Sequence, residues 1–338
     1  MFNVRSFLFF VGSSTFDVPR SLSAHLPMIL KPSSPEDLCR QLVDVHGRGE
    51  KVSAFRLDAL NRVLEHTPED MTITVEAGIT FSALQKQLAV HSQWLPMDPP
   101  HPDRTSIGAI LAGHVSGPRR CGYGTIRDYL IGMRFALADG TVVKSGGKVV
   151  KNVAGFDLCK LLIGSEGSLG VIFEATFKLR PLPEVERVLE FRCDSLEQAD
   201  ALLKAILLSQ TTPVVLDLHN LSDSFSLVVG FDGMKQDVEW QVAELKKIGA
   251  AVDSDLGYHA RFHGGEGEIR HLSVLPTSLA ESIRRLGKVS FVTHAGNGVI
   301  QYRGGEVVSR SGLPMELMKR VKDAYDPKGI LPGLKVGR

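Results

Sequence analysis

The stretch GSEGSLG at residues 164–170 constrains this chain more than any other. Three glycines in seven residues carry a heavy entropic cost in ordered backbone. They stand between an apolar run, Leu161–Ile163, and an alternating one, Val171–Leu179. They are not isolated. The run SIGAILAGHVSGPRRCGYG places glycines at 108, 113, 117, 122 and 124, and GGKVVKNVAGFD adds Gly146, Gly147 and Gly155. Glycine lets a ligand touch the main chain, and exposed amides in such turns cradle a polyanion. The spacing is neither GxGxxG after a first strand nor GxxxxGK[ST], so the two common nucleotide motifs are absent. Tight packing of turns against helices is the plainer reading of any single glycine.

Around this region the periodicities predict an alternation of helices and strands. Ser34 caps a helix with Pro35 in its first turn, Leu38, Leu42 and Val45 on its apolar face, and Gly47 as its end. Thr72–Ala77 alternates as a half-buried strand, and Thr80 opens a helix with Phe81, Leu84 and Leu88 inward. Asp139-Gly140 signals a hairpin. Val171–Leu179 reads as a strand with Val171, Phe173, Ala175, Phe177 and Leu179 on one apolar side. Pro181-Leu182-Pro183 breaks the pattern and is the expected domain boundary. Beyond it, strands near 188–193, 214–218, 225–231, 289–293 and 299–302 mix with helices begun by Ser195, carrying Val238 and Val242, spanning 279–286 and ending the chain at 314–325. That order suggests a smaller α+β domain over an antiparallel sheet.

Three stretches carry a family resemblance. PMDPPHPDRTSIGAILAGHVSGPRRCGYGTIRDYLIG, GGKVVKNVAGFDLCKLLIGSEGSLGVIFEATFKLRPLP and LNRVLEHTPEDMTITVEAG resemble the FAD-binding domain of the p-cresol methylhydroxylase (PCMH)/vanillyl-alcohol oxidase superfamily. Within it they are most similar to the E-type subunit of bacterial glycolate oxidase. The likeness runs from about Pro32 to Pro183 and continues weakly through VTHAGNGVI and AYDPKGILPG. It implies an α+β chain: an extension over 1–27, a PCMH-type FAD-binding domain of two subdomains over 28–183, and a smaller ferredoxin-like α+β cap over 184–338. It implies non-covalent FAD, held largely by main chain at Pro99, Thr105, Ser106, Ile107, Gly108, Gly113, Ser116, Gly117, Tyr123, Gly124, Gly164, Gly167, Gly170, Val171 and Ile172. It further implies a small 2-hydroxy acid as substrate, with a catalytic flavoprotein and an iron–sulfur subunit as partners. The chain would then be cytoplasmic, or peripheral to the inner membrane through those partners. A flavin-free structural subunit of the same complex and a stand-alone oxidase of a small alcohol or hydroxy acid are the alternatives.

The chain departs from that pattern in one important place. The superfamily's glycine-rich loop, which wraps the FAD pyrophosphate, is missing: HGRGEKVSAFRLDALNRVLEH passes directly from strand to LNRVLEH. The histidine that attaches flavin covalently in some members lies in the same missing stretch. Gly108-Ala109 replaces a Gly-Gly pair, and Leu331-Pro332-Gly333 stands where Asn-Pro-Gly is usual.

Oxidation of a hydroxy acid needs a cation for the carboxylate and a base for a proton. Arg119, Arg120 and Arg127 are the guanidinium candidates, each equally suited to a structural acid such as Asp128. Lys151-Asn152 either stabilises a reduced flavin or fixes its loop. His114, His263, His271 and His294 are the bases on offer; with no His-x-His, and only His263-Gly264-Gly265-Glu266 as a ligand-like run, no metal site is expected. Cys39, Cys121, Cys159 and Cys193 form no CxxC, so buried free thiols in a reducing compartment are expected. The net charge of +1, without a long basic block, lacks the footprint of a nucleic-acid binder. The opening MFNVRSFLFFVG has Arg5 ahead of an apolar run too short to span a bilayer, and no small-residue cleavage site follows, so a poorly ordered start is the expectation.

Overall fold

Ser34 starts the first helix as its side chain type requires: Oγ accepts from the Asp37 amide at 3.1 Å, and Glu36 and Asp37 face the positive end of the helix dipole. The helix spans Pro35–Arg48 and runs through Gly47 to a left-handed cap at Gly49, two residues beyond the expected end, because the Gly49 amide closes the last turn on His46. It connects two short parallel strands, Met28–Leu30 and Val52–Phe55. The structure, a computed structural model, describes residues 27–147, 157–221, 224–305 and 315–334. The extension at 1–26, and Lys151, Asn152 and Gly155, lie outside them.

Five antiparallel strands form the next layer, in the order Val63–Thr67, Thr72–Glu76, Val171–Lys178, Leu130–Ala136, Val142–Gly146. Thr72–Glu76 is buried on both faces, not half-buried. Its central place in the sheet explains this: Ile73 and Val75 enter the core, Thr74 meets the Thr176 hydroxyl at 3.0 Å, and Glu76 takes the Arg62 guanidinium at 2.7 Å. The single apolar face expected of Val171–Leu179 is also corrected. Phe173 is an extra residue opposite the step from Arg134 to Phe135. Val171 and Phe173 therefore join Leu38, Leu42 and Val52 in one cluster, while Ile172, Ala175, Phe177 and Leu179 join a larger one with Leu84, Ile107 and Ile110.

A second, seven-stranded antiparallel sheet has the order Val252–Asp253, Val185–Cys193, Phe225–Gly233, Val215–His219, Ser290–His294, Val299–Arg303, Ile269–Ser273. Helices Leu196–Leu207, Lys235–Ile248 and Leu279–Leu286 cover one face through Leu203, Val238 and Ile283. Helix Gly257–Gly264 covers the other through Tyr258 and Phe262, packed on Val215, Val228 and Val292. The chain is thus α+β throughout its described residues. Its last helix, Met315–Tyr325, leads Ile330 and Leu331 back into the first core beside Leu30 and Leu38.

Candidate functional site

Two of the glycine-bearing motifs meet. Ser106 caps helix Ile107–Gly113, its Oγ accepting from the Ala109 amide at 3.2 Å. The turn after Ile163 docks on the far end of this helix: the Gly164 amide donates to Leu111 and the Glu166 amide to Ala112, each at 2.9 Å. A side chain on Gly164 would lie 3.4 Å from the His114 Cβ. Gly167 is left-handed, with φ of 77°, and space for its missing side chain is bounded first by the Phe55 ring at 3.8 Å. Gly113 and Gly164 are exposed and Gly108 and Gly167 half-buried, so a ligand can reach this junction. Beneath it, Ser165 Oγ, Ser168 Oγ and His114 Nε2 are buried atoms without a hydrogen-bond partner among the described residues. Orphaned polar atoms beside an open glycine turn suit a bound polar group.

The other expected contacts divide by direction. Ile107, Val171 and Ile172 point their side chains into the core, and Gly170 is buried against the Ala136 carbonyl, so only their main chain faces a neighbour. Gly117 is needed for close packing, since any side chain there would collide with the Asp98 backbone. Thr105 Oγ1 donates to the Pro100 carbonyl at 2.7 Å and, with Pro99, belongs to the loop before the helix. Gly124 closes the turn on the Arg120 carbonyl and leaves room for Asp128, whose carboxylate accepts from the Thr125 amide at 2.7 Å and the Thr125 hydroxyl at 3.2 Å. Tyr123 points toward the second sheet and donates to Asp232 at 2.6 Å. The fifteen residues are therefore split between one accessible junction, at 106–113 and 164–167, and the packing around it.

One wall of the expected pocket has no counterpart. From Phe55 the chain passes through Arg56–Asn61 and on to Val63, and this bend packs its own carbonyls where Gly78 leaves room: the Gly78 amide donates to Leu60 at 2.7 Å. The turn 164–170 and helix Ile107–Gly113 offer open main chain to a flat cofactor such as FAD. The described residues at strand Val52–Phe55 offer a pyrophosphate no amide nest, since the Val52 and Arg56 amides are spent on the Ile330 and Leu30 carbonyls.

The three arginines have different fates. Arg119 is enclosed by three carboxylates: it pairs with Asp98, lies 2.5 Å from Glu186, and is 3.9 Å from Asp232. Its guanidinium also covers the Trp94 ring at 5.2 Å. Burial pushes the Asp98 and Asp232 carboxyls above the usual carboxylate range. Arg127 is exposed and donates to the Lys160 carbonyl. Arg120 donates to Ser116 Oγ at 3.1 Å and has no ion-pair partner among the described residues. Near Arg119, a cleft of about 350 Å³ opens between the loop at 98–102 and helix Gly257–Gly264, with Trp94, Asp98, His101 and His259 on its walls.

The histidines gather under the second sheet. Asp217 is fully buried; it lies 3.1 Å from His294 Nδ1 and accepts from the Tyr258 hydroxyl at 2.7 Å. His263 Nε2 sits 3.1 Å from Gln301 Oε1, and the His259 and His263 rings are 4.5 Å apart. Burial lowers the His259 pKa well below its usual value and brings that of His263 down to about 4. His271, on strand Ile269–Ser273, lies opposite Gln301, the partner of His263, and the described residues contain no metal-ligating cluster. Sequence reasoning missed Asp217 and His259. The signals were present: an acid inside the apolar run VVLDL, and histidines four apart in YHARFH.

Residues 43–146 match the protein family described as FAD binding domain. The chain is similar to glycolate oxidase subunit GlcD of Bacillus subtilis, 34% identical over 158 residues, which is 47% of this chain and 34% of that one. It is similar to glycolate oxidase subunit GlcE of Escherichia coli, 36% identical over 169 residues, 49% of this chain and 46% of that one. It also matches the mitochondrial D-lactate dehydrogenase [cytochrome] of Arabidopsis thaliana, 39% identical over 128 residues, 38% of this chain and 22% of that one. These matches each span less than half the length of the relative. In fold it resembles alkyldihydroxyacetonephosphate synthase, with a TM-score of 0.68 and 18% identity over 89% of this chain and 76% of that one.

Proposed function

We propose, on the premise that this chain belongs to the FAD-linked oxidase superfamily near the glycolate oxidase subunits, that it is the flavin-holding subunit of a complex that oxidises a small 2-hydroxy acid. FAD is the cofactor of this domain. When bound it supplies a two-electron acceptor for the hydroxyl carbon. The observation that carries the reading is the open junction at Gly167, where a left-handed glycine, exposed glycines and orphaned buried hydroxyls adjoin. The protein's own contribution is main-chain approach at 106–113 and 164–167, with the side chains behind it locked in the core.

The partners in this reading are a catalytic flavoprotein and an iron–sulfur subunit. The names of the similar bacterial proteins, each a subunit, support a multi-chain assembly. The missing pyrophosphate wall supports a dependence on such a partner for full cofactor retention. No helix among the described residues is long and apolar enough to cross a membrane. The test is the visible spectrum of the chain purified alone and with its co-expressed neighbours. Oxidised-flavin bands in either preparation support the reading; a chain that shows none, alone or assembled, is the flavin-free structural subunit instead.

A further inference from the structure

The two arginines adjacent in sequence lie in opposite electrostatic surroundings. Arg119 is one guanidinium among three carboxylates, so its corner repels an anion. Arg120 is half-buried and spends one N–H on Ser116. Among the described residues the carboxylate whose charge reaches it is that of Asp128, whose Oδ2 accepts from the Thr125 amide and hydroxyl. Arg120 and Arg127 act on His114 as positive charges and Asp128 as a negative one, and His114 Nε2 is buried with no hydrogen-bond partner among the described residues. Ser116 accepts from Arg120 and so keeps its own O–H to give; it is 8% exposed. A half-buried guanidinium with most of its donors unspent, bonded to the Ser116 hydroxyl and on the same 114–120 segment as an unpartnered imidazole nitrogen, is short of an acceptor.

We propose that Arg120, with Ser116 and His114, is a receptor for one anionic oxygen group, a carboxylate or a phosphate, at the edge of the turn Gly164–Gly170. The inference rests on the proposed function in taking the same junction as the site. Two sources supply such a group: the pyrophosphate of the cofactor, which lacks its usual glycine loop here, and the carboxylate of a hydroxy acid. In either case no bond is made or broken by Arg120; it is a positioning residue, and Arg119 is excluded from the role.

The test uses the full chain and three probes, FAD, riboflavin and oxalate, titrated by calorimetry against wild type, Arg120→Met and Arg120→Lys. Loss of charge-assisted hydrogen bonds predicts a drop in affinity of roughly ten- to a hundredfold for Arg120→Met. If FAD loses that affinity and riboflavin does not, the group is a phosphate. If oxalate loses it and FAD does not, the group is a carboxylate. Arg120→Lys restores part of either loss, and it stands in for Arg120→Met, with a smaller loss, if the methionine variant fails to fold. Equal binding of all probes by wild type and both variants overturns the proposal, as does a wild type that binds neither FAD nor oxalate. A wild type that binds oxalate through Arg120 but no flavin sinks the flavin reading and leaves the anion receptor standing.

Discussion

Lys322→Met tests the link between the chain's end and the glycine turn. Lys322 comes from helix Met315–Tyr325, and its ammonium donates to the Ser168 carbonyl at 2.8 Å, to Asp326 at 2.5 Å and to the Pro332 carbonyl at 3.2 Å. Asp326 is fully buried as a side chain and accepts from the Ile330 amide at 3.0 Å and the Leu331 amide at 2.8 Å. The ammonium thus ties the turn 164–170, the last helix and the closing segment together. Methionine fills the volume but leaves a buried carboxylate without its counter-ion and carbonyls without a donor. Two amides still hold Asp326, so the cost belongs at the ordinary figure for breaking a buried pair, about 3–5 kcal/mol. The exposed pair Lys204–Asp200, 2.6 Å apart with the lysine 63% exposed, is the control, and Lys204→Met should cost about 0.3–0.5 kcal/mol. The assay is urea unfolding at constant slope, with hydrogen exchange of the 164–170 amides to localise the loss. FAD affinity should fall in Lys322→Met and hold in Lys204→Met. A Lys322→Met variant within about 1 kcal/mol of wild type, with unchanged exchange in the turn, would refute the reasoning.

Arg119→Met strands Asp98 and Glu186, and a loss of about 3–5 kcal/mol by the same denaturation assay is expected, only partly recovered by Arg119→Lys, whose compact ammonium cannot reach both acids. The buried neutral histidines set an acid limit: His263 stays unprotonated in the folded state down to about pH 4, whereas the unfolded chain takes up that proton near the ordinary histidine value of 6.5. The unfolded state then binds more protons, so stability is fully present above about pH 6.5 and falls as pH drops toward 4; thermal midpoints of His263→Gln should decline less over that range than those of wild type. Gly167→Val puts a β-branched side chain at φ of 77° beside Phe55, so flavin content should be lost while the far-UV spectrum is kept; full flavin content in this variant would count against the turn as a contact.

What the sequence by itself determined is what local chemistry governs. Ser34, Thr80 and Ser195 cap helices because a hydroxyl beside free amides needs nothing from the rest of the fold. The gap after Phe55 and the concentration of glycine at 106–124 and 164–170 were equally visible. Tertiary structure decided the rest. Phe173 turns to a different core from Phe177 because it is extra against the neighbouring strand, and only the paired strand reveals that. Arg119 and Arg120 are interchangeable on paper, yet one is neutralised by Glu186 and Asp232 from the second sheet and the other has no acid bound to it among the described residues. Asp217 finds His294 and Tyr258 across 77 and 41 residues of chain. Charge acts through space and falls with distance, so which cation is free is a property of the packed molecule, not of its order of residues.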